Sequence, residues 1–181
     1  GVSGSDSQGL RVTRNRPAII YVSSTLAYDN WRDGFSYHSQ GAGICCDVVE
    51  IDCTGNRNGW EATAGSHNGS TIHDGGRIIR INGRSVENEN RNFHDVGNSQ
   101  VWALGCQAGL PRNQDSATSS ANFMVDSEST SGVTEAWYER CKSLGGAQTD
   151  YAVFTGGKLH VRLCDPGEGR IISAGATLDE Y

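Results

Sequence analysis

Six cysteines in a chain of 181 residues, two of them adjacent at Cys45 and Cys46, constrain the fold more than any other feature. An even set of thiols in a small, Gly-rich chain predicts a disulfide framework and an oxidising compartment. No C-x-x-C spacing occurs, so a zinc or other metal site is not expected. Neighbouring residues of a strand point to opposite faces, so Cys45 and Cys46 are expected to staple one strand to two different elements. If residues 43–53 form one extended strand, Cys53 lies about 25 Å from Cys45 at ~3.3 Å per residue. Bridged Cα atoms stay within ~7 Å of each other. Each of Cys45, Cys46 and Cys53 is then expected to pair with one of Cys106, Cys141 and Cys164. A turn near Asp47 would instead admit a local Cys46–Cys53 bridge.

The remaining composition points the same way. Gly (24) far outnumbers Pro (3), and Ser, Thr, Asn and Asp separate short apolar runs. This is the pattern of many short strands joined by turns. A net charge of −6 argues against a generic nucleic-acid or anionic-membrane binder, because phosphate neutralisation needs surplus cations. No apolar run approaches the ~18 residues of a membrane-spanning helix. Residues 1–9 read as a flexible tail and residues 10–181 as a single disulfide-stabilised domain, secreted and extracellular. Asn68-Gly69-Ser70 is a glycosylation sequon compatible with that setting.

Strands are expected at residues 17–23, 43–53, 60–64, 77–81, 100–106, 122–125, 151–155, 158–164 and 170–173. In the second of these, Val49 and Ile51 share one face and Glu50 and Asp52 the other. Three Asn-Gly pairs, at Asn58, Asn68 and Asn82, signal tight turns. Gly156-Gly157 predicts a hairpin that places Ala152, Phe154, Leu159 and Val161 on a core face and Tyr151, His160 and Arg162 on the other. One helix is expected at about 131–144, where Val133, Trp137, Cys141 and Leu144 recur at helical spacing and Gly145-Gly146 stops the run. The expected fold class is therefore mainly β or α+β: an antiparallel sheet or sandwich of short strands with one helix.

Chemistry-bearing residues are present without a recognisable spacing. His67, His73 and His94 lie near Asp74 and Asp95, and the segment reads as a solvated polar loop rather than a metal or acid–base site. A ribonuclease-like site needs a base, an acid and a cation near phosphate. Glu61, His94, His160 and Arg162, with Arg77 and Arg80, supply those types. Neither a paired-carboxylate glycosidase pattern nor a G-x-S-x-G or H-E-x-x-H motif singles out residues. The aromatic segment at 28–38 is the most distinctive surface feature, and Tyr28, Trp31 and Tyr37 are its expected contacts with a protein or glycan.

The spread of cysteines, with one in Trp137-Tyr138-Glu139-Arg140-Cys141 and one in Leu159-His160-Val161-Arg162-Leu163-Cys164, resembles the small secreted cysteine-rich proteins of fungi. That group includes plant-infection effectors and killer-toxin-like proteins. The disulfide scaffold and the absence of a catalytic signature lead to the expectation of a secreted, non-enzymatic binding protein of effector or toxin type, and the resemblance carries over no site residues. The alternative is a small secreted hydrolase, ribonuclease-like ahead of glycoside hydrolase. No cofactor is expected, and nucleic acid enters only as a substrate of that alternative.

Overall fold

The computed structural model describes residues 8–14, 17–39, 46–60, 67–112, 120–127, 132–165 and 169–181. Every strand pair among them is parallel. Strands adjacent in sequence do not pair; each pairs with its counterpart one coil later, so the chain winds as a three-sided β-solenoid. Sheet A has seven strands: Leu10–Arg14, Phe35–Ser39, Ser70–His73, Arg91–Val96, Ala121–Asp126, Thr149–Phe154 and Arg170–Ile172. Sheet B also has seven: Ala18–Ser23, Cys46–Ile51, Arg77–Ile81, Gln100–Leu104, Glu135–Glu139, Lys158–Arg162 and Thr177–Glu180. Sheet C has five: Leu26–Tyr28, Thr54–Asn56, Arg84–Val86, Gln107–Gly109 and Lys142–Ser143.

The coils close because the backbone turns left-handed at fixed corners. Between sheets B and C, Ser24, Asp52, Asn82, Gly105, Arg140 and Leu163 all have φ between +48° and +66°. The next residue then turns inward at each coil: Thr25, Cys53, Gly83, Cys106, Cys141 and Cys164. Between sheets C and A, Asp29, Arg57 and Glu87 are left-handed and precede Asn30, Asn58 and Asn88. A left-handed residue costs roughly 1–2 kcal/mol unless it is Gly, Asn or Asp. Stacked coils offset that cost with hydrogen bonds at every corner. Asn30 Nδ2 donates to Asn58 Oδ1 (2.8 Å) and Asn58 Nδ2 to Asn88 Oδ1 (2.8 Å). Asn88 Nδ2 then donates to Asn92 Oδ1, Asn92 Nδ2 to Asn122 Oδ1 (both 2.9 Å), and Asn122 Nδ2 to Asp150 Oδ1 (2.8 Å).

The lumen between the sheets is filled by columns of like residues. Phe93, Phe123 and Tyr151 stack with ring planes 12° and 10° apart. Val48, Ile78, Val101, Ala136 and Leu159 form an aliphatic column on the inner face of sheet B. A charged cluster interrupts this core. Arg80 lies between Asp95 (Nη1–Oδ1, 2.6 Å) and Glu50 (Nε–Oε2, 3.4 Å), all three buried. Tyr37 OH donates to Glu50 (2.8 Å) and Tyr138 OH to Asp95 (2.5 Å). Burial opposes the guanidinium charge, but Asp95 and Glu50 outweigh it and raise Arg80 above its ordinary value. Burial likewise pushes the Glu50 carboxyl up, against Arg80 and Tyr37.

Four expectations are corrected by this architecture. The chain is β-rich, but its sheets are parallel rather than antiparallel, and no helix occurs among the described residues. The segment expected to be helical carries strands Glu135–Glu139 and Lys142–Ser143. Its Trp137 points outward while Ala136 and Tyr138 point into the lumen, so a period of two overrides the helical spacing. Gly156-Gly157 is a corner and not a hairpin tip: Thr149–Phe154 belongs to sheet A and Lys158–Arg162 to sheet B.

The disulfide framework also fails. Cys46, Cys53, Cys106, Cys141 and Cys164 are all unbridged, and Cys45 lies outside the described residues. Cys53, Cys106, Cys141 and Cys164 stand at one corner position, each thiol on a carbonyl of the preceding coil: Val22, Arg80, Ala103 and Tyr138 respectively. Hydrogen bonding along the stack raises the central Cys141 thiol and lowers Cys106 and Cys164, the latter to about 7. These five thiols therefore lend no support to an oxidising compartment.

Candidate recognition surface

Parallel sheets are ordinarily covered on both faces. The outer face of sheet B is open, and its register gathers apolar side chains into a stripe along the solenoid. One outward position on successive strands reads Tyr21, Val49, Ile79, Trp102, Trp137 and His160. Ile79 is 43 % exposed, Trp102 39 %, and the flanking Leu104 40 %. Trp102 and Trp137 stack at 5.2 Å with planes 7° apart, and Trp137 and His160 at 5.3 Å and 10°. A groove of about 550 Å³ runs along this stack, lined by Ile79, Ile81, Leu104, Glu139, Arg162 and Tyr181 among others.

Ionisable groups edge the stripe. Arg77 makes a two-point bridge to Asp47 (2.6 and 2.7 Å). His160 is held from both sides, by Glu135 Oε1 at 2.9 Å and Asp179 Oδ2 at 3.2 Å. Glu139 lies 3.8 Å from both Arg140 and Arg162. The surface thus offers an apolar, aromatic centre with a charged border, a composition suited to association.

The outer face of sheet A is different. Ser36, Thr71, His94, Met124 and Ala152 share one outward position there and are all buried. Beside them, the His38 and His73 rings stack at 4.3 Å, and His94 meets His73 edge-on at 6.3 Å. Ser36 Oγ contacts His38 Nε2 at 2.9 Å, and His38 Nδ1 lies 3.5 Å from Asp74. The connectivity is that of a hydroxyl–imidazole–carboxylate relay. Ser36 is fully buried, however, and Thr71–His73 repeats the contact one coil along (2.9 Å), which marks a structural column. Burial lowers His38, His73 (to about 3) and His94. Among the described residues no cluster of His, Cys, Asp and Glu could hold a metal ion.

The residues singled out from sequence do not converge. Arg80 is in the lumen, His94 is buried on sheet A, and Arg77, His160 and Arg162 are on the outer face of sheet B. Glu61 lies outside the described residues. Of the aromatic segment, Tyr28 is 56 % exposed and Trp31 half-buried, whereas Tyr37 points into the lumen. The histidine-rich segment is not a solvated loop: His67 is buried 3.9 Å from Glu89, and Ser70–His73 is a strand. Asn68 is buried as well, its N–H bound to Asp33 at 2.7 Å, so the sequon is not displayed.

Sequence reasoning missed the sheet-B stripe. Its signal lay in recurrence between strands, with aromatic or aliphatic residues at the centre of 77–81, 100–104 and 135–139. That recurrence has meaning only once the strands are stacked in register. No helix of the described residues is long and apolar enough to cross a membrane. Comparison with protein-family models, with curated proteins and with solved structures finds no match to this chain.

Proposed function

We propose that this chain is a non-enzymatic binding protein whose recognition surface is the outer face of sheet B and whose ligand is a protein surface. The observation that carries the reading is the apolar stripe centred on Trp102 and Trp137, exposed on a parallel sheet that nothing described covers. A sugar ring stacks on an aromatic face, and here the faces are turned toward one another, leaving indole edges outward. Apolar edges flanked by Ile and Leu suit a protein better than a glycan. The hydrolase alternative requires its acid, base and cation in one cleft, and those candidates are divided among the lumen and two outer faces.

Co-purification from the native source, alongside a glycan array, tests this. Wild type and a Trp31→Ala control should retain the same protein, Trp102→Glu should lose it, and no glycan should be retained. Glycan binding abolished by Trp102→Glu would overturn the choice of ligand. Protein binding indifferent to Trp102→Glu would overturn the surface.

A further inference from the structure

We propose that the partner at sheet B is a second copy of this chain, packed face to face and antiparallel about a two-fold axis through the Gln100–Leu104 strand. The inference rests on the reading of that face as a protein-recognition surface and names its occupant. A two-fold axis lying in the interface and parallel to the strands keeps each position along a strand in place and reverses the order of coils. Every outward column then meets the same column of the partner, read backwards.

The charged column reads Ile19, Asp47, Arg77, Gln100, Glu135, Lys158, Thr177 from one end to the other. Reversed about Gln100, Asp47 faces Lys158 and Arg77 faces Glu135, so all four charges meet opposite charges. Moving the axis by half a strand spacing destroys this. One direction sets Asp47 against Glu135, and the other sets Arg77 against Lys158. Like charges in apposition are unfavourable, so the pattern specifies one register. In the central column the same operation places Trp102 on Trp102, Ile79 on Trp137 and Val49 on His160, joining the apolar stripes over the five central strands, with Tyr21 meeting Asp179 at the ends. Leu104 meets Leu104 beside them. Glu139, which meets Ile81, already has Arg140 and Arg162 at 3.8 Å and enters the interface with its charge partnered.

The scale fits a dimer of modest affinity. Seven strands at ~4.8 Å by five residues at ~3.3 Å give on the order of 600 Å² of plane area per chain. Two such faces bury roughly 1,200 Å², the lower end of specific interfaces. Arg77 and Glu135 lie ~5 Å and Asp47 and Lys158 ~10 Å from the axis, where long Arg, Lys and Glu side chains reach across the ~30° misalignment of packed sheets.

Sedimentation velocity over a concentration series, with charge-reversed variants, decides the matter. Wild type should dimerise, and Trp102→Glu should be monomeric. Lys158→Glu and Asp47→Lys should each weaken the dimer at least about 10-fold. An equimolar mixture of these two variants should recover heterodimers, because Asp47 then faces Lys158 and the introduced Glu faces the introduced Lys. Both variants keep a net negative charge, so general attraction cannot produce that recovery. Failure of the mixture to recover would overturn the antiparallel register. A wild-type chain that stays monomeric at about 100 µM would overturn the second copy, leaving the face itself to the co-purification result. A dimer insensitive to Trp102→Glu would overturn both.

Discussion

At position 94 an imidazole is buried with neither ring nitrogen hydrogen-bonded. Burial, with Arg91, His73 and Arg80 nearby, holds it neutral well below the ordinary histidine value. In the unfolded chain the same ring protonates near 6.5. The unfolded state therefore binds the extra proton, so this contribution to stability is fully present above pH ~6.5 and lost as pH falls. Asp33 acts in the opposite sense. Burial raises its carboxyl to about 7, so its contribution is present at low pH and lost as pH rises from ~3.8 through 7. The two slopes oppose each other between about pH 4 and 6.5, and the wild-type profile alone cannot separate them. His94→Leu can. The variant should lie within about 1 kcal/mol of wild type at pH 7 and gain roughly 2 kcal/mol on it at pH 5, at ~1.4 kcal/mol per pH unit. Urea midpoints at the two pH values measure this, and parallel losses in both proteins would clear His94 of the acid sensitivity.

At the scale of elements, the corners hold the coils together more visibly than the strands do. Asn88 accepts from the Asn58 backbone N–H (3.0 Å) and Nδ2 (2.8 Å) and donates to Gly55 O, Ser85 Oγ and Asn92 Oδ1. Asn88→Ala leaves several buried groups unsatisfied at about 1–3 kcal/mol each, partly relieved by water, so a loss of about 3 kcal/mol is expected in chemical denaturation. A loss below 1 kcal/mol would mean that water replaces the amide. These corners also explain what sequence reading could and could not reach. Strands at Arg77–Ile81, Gln100–Leu104 and Lys158–Arg162 were legible, because a period of two with β-branched residues is a local property. Their partners were not, since the same alternation serves parallel and antiparallel pairing. Asn82 reads as a tight turn because a left-handed residue there suits either structure, whereas at Asn58 the left-handed residues are its neighbours Arg57 and Gly59. Alternation in Cys46–Ile51 was visible too, but not which face is inner. Glu50 faces the lumen because Arg80 and Tyr37 await it from other strands.

For the whole molecule, the decisive information is the distance in sequence between equivalent positions. The ladder asparagines are separated by 28 and 30 residues, then by 30 and 28 from Asn92 to Asn122 to Asp150. Coils of unequal length hide this recurrence from a search for a fixed period. Stacking then fixes every column at once: the thiol corner and the sheet-B stripe are each one position seen on successive coils, and the lumen charge cluster forms where the Glu50–Arg80 column of sheet B meets the Tyr37–Asp95 column of sheet A. Proteins of this kind gain stability from contacts between neighbouring coils.

The left-handed corners make the chain's length countable only in whole turns, as on a screw thread. One Ala inserted between Trp102 and Ala103 exchanges inner for outer side chains in the rest of that strand, because the side-chain period is two. It is expected to abolish the cooperative unfolding transition. Duplicating residues 100–134 adds a complete turn, with Val101, Ala103 and Phe123 each stacking on a copy of itself. That variant should fold and lengthen the solenoid by ~4.8 Å, a change that small-angle scattering and a thermal melt together can read. Tolerance to change in this molecule is thus a matter of arithmetic. Fractions of a turn are refused, and whole turns are absorbed.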